Sequence, residues 1–264
     1  MKLKDKISVI TGAGRGIGRS IALAFAEEGA DVALAARSRE QLEKVAREVE
    51  SKGRRALAVP CDVSSAQDVQ NLAQAVQEAF GRVDILVNNA GISKRSKFLE
   101  YEDEVWLEVL RVNLYGAYLS TKAILPLIQK GSEGRIIMIA STAAKSPVPF
   151  NTAYSASKHG LLGLTQSLAA EVALSGYPRI TVNAICPFFV ETEMFSGPQG
   201  YVAQMSRNTE RSQEEVVKDA VSRSLQGRVL RPEEVAALAV YHASDEAEGL
   251  TGQAINICGG RVFH

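Results

Sequence analysis

Short apolar runs alternate with longer amphipathic stretches along the whole chain. Seven runs have the length of a strand and are mostly β-branched, and they lie at 7–10, 32–36, 56–59, 85–87, 136–140, 180–185 and 254–257. Units of strand, helix and strand join parallel strands by right-handed crossovers. The pattern therefore predicts an α/β fold, in which a doubly wound seven-stranded parallel sheet carries helices on both faces.

The segment 192–228 interrupts this alternation of strands and helices, because it is long for a connection and has no strand-like run. Gly197 and Pro198 indicate a bend, and Ser212 and Glu215 have the spacing of a helical capping box. We therefore predict a helical flap here. The chain shows no internal repeat or linker, so residues 1–264 are expected to form a single domain.

Charge and composition restrict the partners of the chain. Thirty basic residues balance thirty acidic ones, which leaves no bulk attraction for nucleic acid or for an anionic membrane surface. The N-terminus lacks a signal-peptide pattern and no apolar stretch reaches the length of a membrane span, so we expect a cytoplasmic protein. Three cysteines and three histidines at wide spacing predict neither a disulfide framework nor a metal site.

The first strand leads directly into the segment TGAGRGIG at residues 11–18. Glycine lets the backbone turn tightly and approach a diphosphate, whose charge the free amides at the following helix N-terminus stabilise. Because the segment lies between a strand and an amphipathic helix, it favours a dinucleotide site over a merely flexible turn.

The second strand ends without the acidic residue that often binds the adenosine ribose. Arg37, Ser38 and Arg39 stand there instead, and they favour the 2′-phosphate of NADP over NAD, which remains possible. The arginines are alternatively solvated charges at a helix start. Asp62, after the third strand, is a candidate acceptor for the adenine amino group, or a turn residue ahead of a capping box at residues 64–67.

Four residues are candidates for chemistry. Tyr154 and Lys158 lie four residues apart in a predicted helix, so they share one face, and a nearby ammonium lowers the pKa of a phenol toward neutrality. Ser141 follows the fifth strand, where its hydroxyl can bind a carbonyl oxygen as charge develops. Asn113 is a candidate to hold a water. Taken singly, the pair is equally a helix surface pair and Ser141 a cap.

Together these segments resemble the short-chain dehydrogenase/reductase family, whose fold is Rossmann-like, over nearly the whole chain. The glycine turn, the motif NNAG at 88–91, and the tetrad Asn113, Ser141, Tyr154 and Lys158 agree in order and spacing. The resemblance implies that Tyr154 exchanges a proton with the substrate oxygen, Ser141 orients that oxygen and Asn113 anchors the proton relay. It also implies that Lys158 holds the nicotinamide ribose and that the protein is a homodimer or homotetramer.

The glycine turn, the strand ends and the resemblance together define a full set of candidate site residues. Those assigned to the cofactor are Thr11, Gly12, Arg15, Gly16, Ile17, Gly18, Arg37, Ser38, Asp62, Val63, Asn89, Ala90, Gly91, Tyr154, Lys158, Pro187 and Thr192. Those assigned to the substrate are Ser141, Phe188, Phe189, Met194 and Phe195.

One segment departs from the family pattern, since Phe188 follows Pro187 where the family usually has glycine. The ring either narrows the substrate entrance or packs beneath the flap. The basic loop at 92–98, together with Arg207 and Arg211 of the flap, is a candidate to attract an anionic handle such as the phosphopantetheine of a thioester. Solvated surface charge is the alternative.

The segments YSASKHG at 154–160 and GQAINICGG at 252–260 look most like the branch of 3-oxoacyl and polyketide ketoreductases. We therefore expect an NADPH-dependent oxidoreductase that reversibly reduces a ketone to a secondary alcohol, with a 3-oxoacyl thioester or a related β-keto compound as substrate. Two alternatives stay open. One is an NAD-dependent hydroxy-acid or polyol dehydrogenase, and the other is a non-catalytic NADP-sensing interaction protein.

Overall fold

The computed structural model describes residues 1–146 and 148–264. In this part of the chain the strands are β1 (Ile7–Thr11), β2 (Asp31–Ala36), β3 (Ala56–Pro60), β4 (Ile85–Asn88), β5 (Gly134–Ile139), β6 (Ile180–Pro187) and β7 (Ala254–Ile257). They pair in parallel in the order β3-β2-β1-β4-β5-β6-β7. The predicted doubly wound seven-stranded parallel sheet is confirmed.

Helices cover both faces of this sheet. They are α1 (Gly16–Glu27), α2 (Arg39–Glu50), α3 (Ala66–Phe80), α4 (Asp103–Leu110), α5 (Gly116–Ile128), α6 (Thr152–Leu174), α7 (Glu193–Ser196), α8 (Tyr201–Thr209), α9 (Gln213–Ser222) and α10 (Pro232–Ala243). One core lies between the sheet and α1, α2 and α10, and a second lies between the sheet and α3, α5 and α6. Successive strand residues serve opposite cores, as Val9 and Ile10 do.

The start of α3 differs from the sequence prediction by one residue. The capping box expected at Ser64 and Gln67 is wrong, because Ser65 is the N-cap and its hydroxyl accepts the amide of Asp68. The hydroxyl of Ser64 instead donates to Asp62 at 2.6 Å. Two adjacent serines offer the same local signal, and the neighbouring carboxylate decides between them.

The segment 192–228, where the sequence predicts a flap, carries α7, α8 and α9. Ser212 and Glu215 form the predicted capping box at the start of α9. Phe195, Tyr201 and Val202 belong to a small core inside the flap, and Phe189 at the end of β6 packs against it. The flap is thereby attached to the sheet edge by apolar contacts.

The order of the strands creates a crevice at one edge of the sheet. The chain moves outward from β1 to β3 and then returns to place β4 on the other side of β1. The turns that follow β1 and β4 therefore diverge, and ligands of such sheets bind in the gap at the carboxyl ends. A π-helical turn between α4 and α5 faces this region. In the described residues no helix has the length and apolarity to cross a bilayer.

Candidate active site

A cleft of about 980 Å³ lies at the carboxyl ends of the central strands, and most of the predicted site residues line it. These are Gly12, Arg15, Gly16, Ile17, Arg37, Ser38, Asp62, Val63, Asn89, Ala90, Gly91, Ser141, Tyr154, Lys158, Pro187, Phe188, Phe189, Thr192, Met194 and Phe195. Three other predicted residues, Thr11, Gly18 and Asn113, support the wall of the cleft from behind.

Two glycines in the turn after β1 leave room for nothing larger than a hydrogen atom. Gly12 has a φ of 65°, and a Cβ there would lie 2.8 Å from Nδ2 of Asn89. A Cβ on Gly18 would lie 2.3 Å from the carbonyl oxygen of Gly12. Gly18 therefore allows α1 to pack directly on the turn, and its predicted cofactor contact stays a prediction.

Thr11 and Asn89 tie the glycine turn to β4. The Thr11 hydroxyl donates to the carbonyl of Val87 and accepts the amides of Asn89 and Ala90 at 3.0 and 3.1 Å. Nδ2 of Asn89 donates to the carbonyls of Thr11 and Gly12. These partners use the buried Thr11 hydroxyl fully, so the side chain shapes the turn, and the predicted cofactor contact of Thr11 stays a prediction.

Charged and polar groups gather beyond the end of β2. Arg37 is exposed and lines the cleft, while Ser38 caps α2 by accepting the amide of Gln41. Oδ1 of Asp62 accepts the amide and the hydroxyl of Ser64. Burial acts to raise the pKa of Asp62, but the bonds from Ser64 and the charge of Arg37 hold it below its ordinary value. Asp62 is thus an ionised turn residue that also lines the cleft.

The predicted catalytic side chains meet near the end of β5. Nζ of Lys158 lies 5.6 Å from the ring centre of Tyr154, one turn earlier on α6. The same amine donates to the carbonyl oxygen of Ile139 at 2.7 Å. Ser141 follows two residues later, and its hydroxyl accepts the amide of Ala143 at 3.1 Å. The hydroxyl of Ser141 also lies near the phenol of Tyr154, since it acts on the pKa of that phenol.

Burial governs the ionisation of both α6 groups. It raises the pKa of Tyr154, and the bond with Ser141 and the charge of Arg95 oppose this only in part. It lowers the pKa of Lys158 to about 8. The sequence-based prediction that the ammonium lowers the pKa of the phenol is therefore wrong, because desolvation is the dominant effect and raises that pKa.

Asn113 lies in the π-helical turn and is buried. Its Nδ2 donates to the carbonyl of Ile92 at 2.9 Å and to the hydroxyl of Ser157 at 3.0 Å, while its Oδ1 accepts the amide of Ile92 at 2.8 Å. These bonds fasten the loop after β4 to α6. Protein partners use both donors of this amide and one acceptor position of its oxygen, so the predicted role of holding a water stays a prediction.

The sequence leaves two roles open for Phe188, which are narrowing the entrance and packing beneath the flap. In the structure Phe188 takes the first role and Phe189 takes the second. The half-buried Phe188 lines the cleft, and its amide donates to the carbonyl of Ile257. The ring of Phe189 packs beneath the flap, with its centre 4.3 Å from that of Tyr201 and 5.1 Å from that of Phe195. Phe188 therefore narrows the cleft while its neighbour anchors the flap.

The flap also reaches across the cleft to the glycine turn. Arg15 in the turn is ion-paired with Glu193 in α7. A Cβ on Gly16 would lie 3.2 Å from the methyl carbon of Thr192, so the two segments are in close contact. The glycine turn thus lies under the start of the flap.

The positive charge at the substrate end of the cleft differs from the prediction. Arg207 and Arg211, the predicted candidates in the flap, are exposed and lie outside the cleft wall. Arg95, Arg223 and Arg261 line it instead. The loop containing Arg95 was indicated by the sequence, but Arg223 and Arg261 come from distant segments that only the tertiary structure brings to the cleft.

Comparison with known proteins agrees with this site. A family model described as short chain dehydrogenase matches residues 6–199. A 3-oxoacyl-[acyl-carrier-protein] reductase of Thermotoga maritima is 36% identical over 263 residues, 100% of both chains, and the oxidoreductase UcpA of Salmonella typhimurium is 40% identical over 99% of this chain and 96% of its own. The crystal structure of a variant actinorhodin polyketide ketoreductase with NADPH matches with a TM-score of 0.91 at 39% identity, covering 97% of each chain.

The fold and the cleft define an oxidoreductase built around a dinucleotide site. The chain belongs to the short-chain dehydrogenase family, which confirms the predicted family and enzyme class. The cleft fits the NAD(P) cofactor of that family, because Gly12 and Gly16 have the positive φ values of 65° and 54° that a tight phosphate-binding turn requires. The N-terminus of α1 follows directly, where helix amides stabilise negative charge.

Proposed function

We propose that the protein is an NADPH-dependent reductase that converts the ketone of a β-keto compound to a secondary alcohol, in a reversible reaction. The observation that carries this proposal is the half-buried Tyr154, whose phenol lies beside the Ser141 hydroxyl at one end of a cleft that has Arg37 at the other. The ketoacyl and polyketide reductases among its relatives support a β-keto substrate.

When bound, the nicotinamide cofactor supplies the hydride for reduction. The glycine turn and the N-terminus of α1 would hold its diphosphate. Arg37 and Ser38 would hold a 2′-phosphate, and Lys158 the nicotinamide ribose. An acidic side chain would repel that phosphate, and the end of β2 has the sequence Ala36-Arg37-Ser38. A basic residue in place of an acidic one at this strand end favours NADPH over NADH.

Tyr154 is the proton donor in the proposed reduction. Because burial raises its pKa, the phenol is protonated at neutral pH and can donate to a substrate oxygen as negative charge develops there. The hydroxyl of Ser141 binds the same oxygen and stabilises that charge. In the reverse direction the phenolate form of Tyr154 accepts the proton of the alcohol, and Ser141 orients the alcohol oxygen.

We further infer that the protein is a cytoplasmic homodimer or homotetramer with one domain per subunit. Tyr115 and Tyr118 support self-association, because they are exposed by 47% and 42% and stack on each other at the beginning of α5. Molecular mass in solution tests this inference.

The test of the proposed activity measures cofactor oxidation with β-keto thioesters, diketones and keto sugars, using NADPH and NADH separately. We expect alcohol formation equimolar with NADPH consumption, and a kcat/KM for NADPH at least about tenfold above that for NADH. A strong preference for NADH with hydroxy acids or polyols supports the alternative dehydrogenase. Tight NADPH binding without turnover of any carbonyl supports a cofactor-sensing protein instead.

A further inference from the structure

One cation at the substrate end of the cleft lies near the proposed proton donor. Arg95, in the loop after β4, is half-buried and lines the cleft. Its guanidinium carbon lies 4.7 Å from the ring centre of Tyr201 in α8. Its positive charge also acts on the phenol of Tyr154, where it opposes the rise in pKa that burial causes. Arg95 therefore lies between the flap and the proposed proton donor.

The groups that hold Arg95 are neutral. Nη1 donates to the carbonyl of Pro149 at 3.4 Å. The side-chain amide of Asn151 has one orientation in which both its oxygen and its nitrogen form hydrogen bonds. In that orientation its oxygen accepts a hydrogen bond from Nη2 of Arg95 at 3.1 Å, and its nitrogen donates to the carbonyl of Lys94 at 3.0 Å. These contacts use two of the five donors of a guanidinium, so donors remain for a ligand.

Arg95 also lacks a counter-charge, unlike two other arginines of the cleft wall. Arg15 is paired with Glu193, and Arg223 with Asp219 at 2.6 Å. In the described residues no carboxylate oxygen lies within 4 Å of the Arg95 guanidinium. Burial lowers the pKa of Arg95 to about 10, which still leaves it charged at neutral pH. A partly desolvated cation that has no carboxylate partner favours the binding of an anion.

We infer that Arg95 binds a carboxylate of the substrate, so that the preferred substrates are oxo acids with a free carboxylate rather than neutral thioesters. This inference rests on the proposed function. A guanidinium binds a carboxylate through two parallel N–H···O bonds, which both neutralises its charge and fixes the orientation of the substrate. A neutral thioester oxygen in the same place leaves the charge uncompensated.

The position of Arg95 suits orientation of the reacting carbonyl. The loop after β4 is fixed to α6 through Asn113, and Nε2 of Gln204 in the flap donates to the carbonyl of Ser93 at 3.2 Å. An anion held by Arg95 is thus held by a rigid loop in the same wall as Tyr154. Binding energy at the carboxylate then contributes to alignment of the ketone.

The test compares 3-oxobutanoate with its methyl ester and its N-acetylcysteamine thioester, using NADPH and the wild type, Arg95→Gln and Arg95→Lys. Lys218→Gln removes a charge from the exposed face of α9 and is the control. We expect kcat/KM for the acid to exceed that for the ester by about tenfold or more in the wild type. Arg95→Gln should lose that advantage through a higher KM for the acid, Arg95→Lys should keep part of it, and Lys218→Gln should keep all of it.

An ester or thioester reduced as well as the acid by the wild type overturns the inference while leaving the proposed function intact, and so does an equal loss on acid and ester in Arg95→Gln. If NADPH binds but none of the three substrates is reduced, the proposed function fails for this class, and binding of a dicarboxylate then tests the inference. Malonate should then raise the melting temperature of the NADP-loaded wild type and of Lys218→Gln, but not of Arg95→Gln. Equal shifts in all three proteins contradict an anion site at Arg95.

Discussion

Nζ of Lys158 donates to the carbonyl oxygen of Ile139 at 2.7 Å, in a wall where the lysine is 4% exposed. The amine is thus fixed by the end of β5 before any ligand enters. Desolvation by the surrounding residues, rather than the nearby phenol, lowers the pKa of Lys158 to about 8. The lysine is therefore positioned by the fold at the expense of an unfavourable buried charge.

Replacement of this lysine should stabilise the cofactor-free protein in a pH-dependent way. The folded-state pKa of about 8 is below the ordinary value of 10.5, so the unfavourable buried charge is fully present below pH 8. It is relieved as the pH rises toward 10.5, since the unfolded chain alone then holds the proton. Lys158→Met should raise the free energy of unfolding by roughly 2–3 kcal/mol at pH 7.

Urea unfolding at steps from pH 7 to about 10.5 measures this effect, and the advantage of Lys158→Met should shrink steadily over that interval. Lys122→Met, at an exposed position of α5, should change stability little at any pH. An advantage that does not depend on pH, or none at all, would contradict the burial of a charged amine.

The glycine turn makes a steric prediction. Gly18→Ala places a Cβ 2.3 Å from the carbonyl oxygen of Gly12 and 2.5 Å from Nδ2 of Asn89. We expect a loss of roughly 1–3 kcal/mol in stability and weaker NADPH binding, because the turn must shift to relieve the contact. Gly163→Ala is the matched control in α6, where a Cβ meets nothing within 4 Å and should stabilise by about 0.4–1 kcal/mol. Thermal unfolding of both variants, with and without NADPH, measures these effects.

Cofactor preference should depend on Arg37. Arg37→Gln removes the guanidinium that lines the cleft, so KM for NADPH should rise about tenfold or more while KM for NADH stays within about twofold. Arg39→Gln should have a smaller effect, since Arg39 is paired with Glu43 at 3.8 Å on α2 and lies outside the cleft wall. Equal changes for both cofactors in Arg37→Gln would show that the residue does not recognise the 2′-phosphate.

The sequence predicts most of the fold because its signals are local. Apolar runs of strand length and apolar residues at helical spacing both involve residues close together in sequence. The four glycines of 11–18 likewise lie directly after the first strand. The choice between Ser64 and Ser65 as a cap is already less local. It depends on the carboxylates of Asp62 and Asp68, which approach once the turn has formed.

The remaining features of the site depend on contacts between distant segments. Thr11 becomes a support because Asn89, remote in sequence, approaches it from β4. Arg261 reaches the cleft only after the C-terminal tail has folded onto β6. The raised pKa of Tyr154 arises from burial by the cleft walls, which no helical spacing reveals. Motifs thus identify the chemical groups, and tertiary packing determines their ionisation and their partners.

The phenol of Tyr154 is the group on which the proposed reduction depends most directly. Tyr154→Phe keeps the ring and removes only the hydroxyl, so it leaves the shape of the cleft intact. With a β-keto substrate reduced by the wild type, we expect its kcat/KM to fall by about 10²–10⁴ while the Kd for NADPH changes by less than about twofold. Ketone reduction at the wild-type rate in Tyr154→Phe would contradict the assignment of this residue as the proton donor.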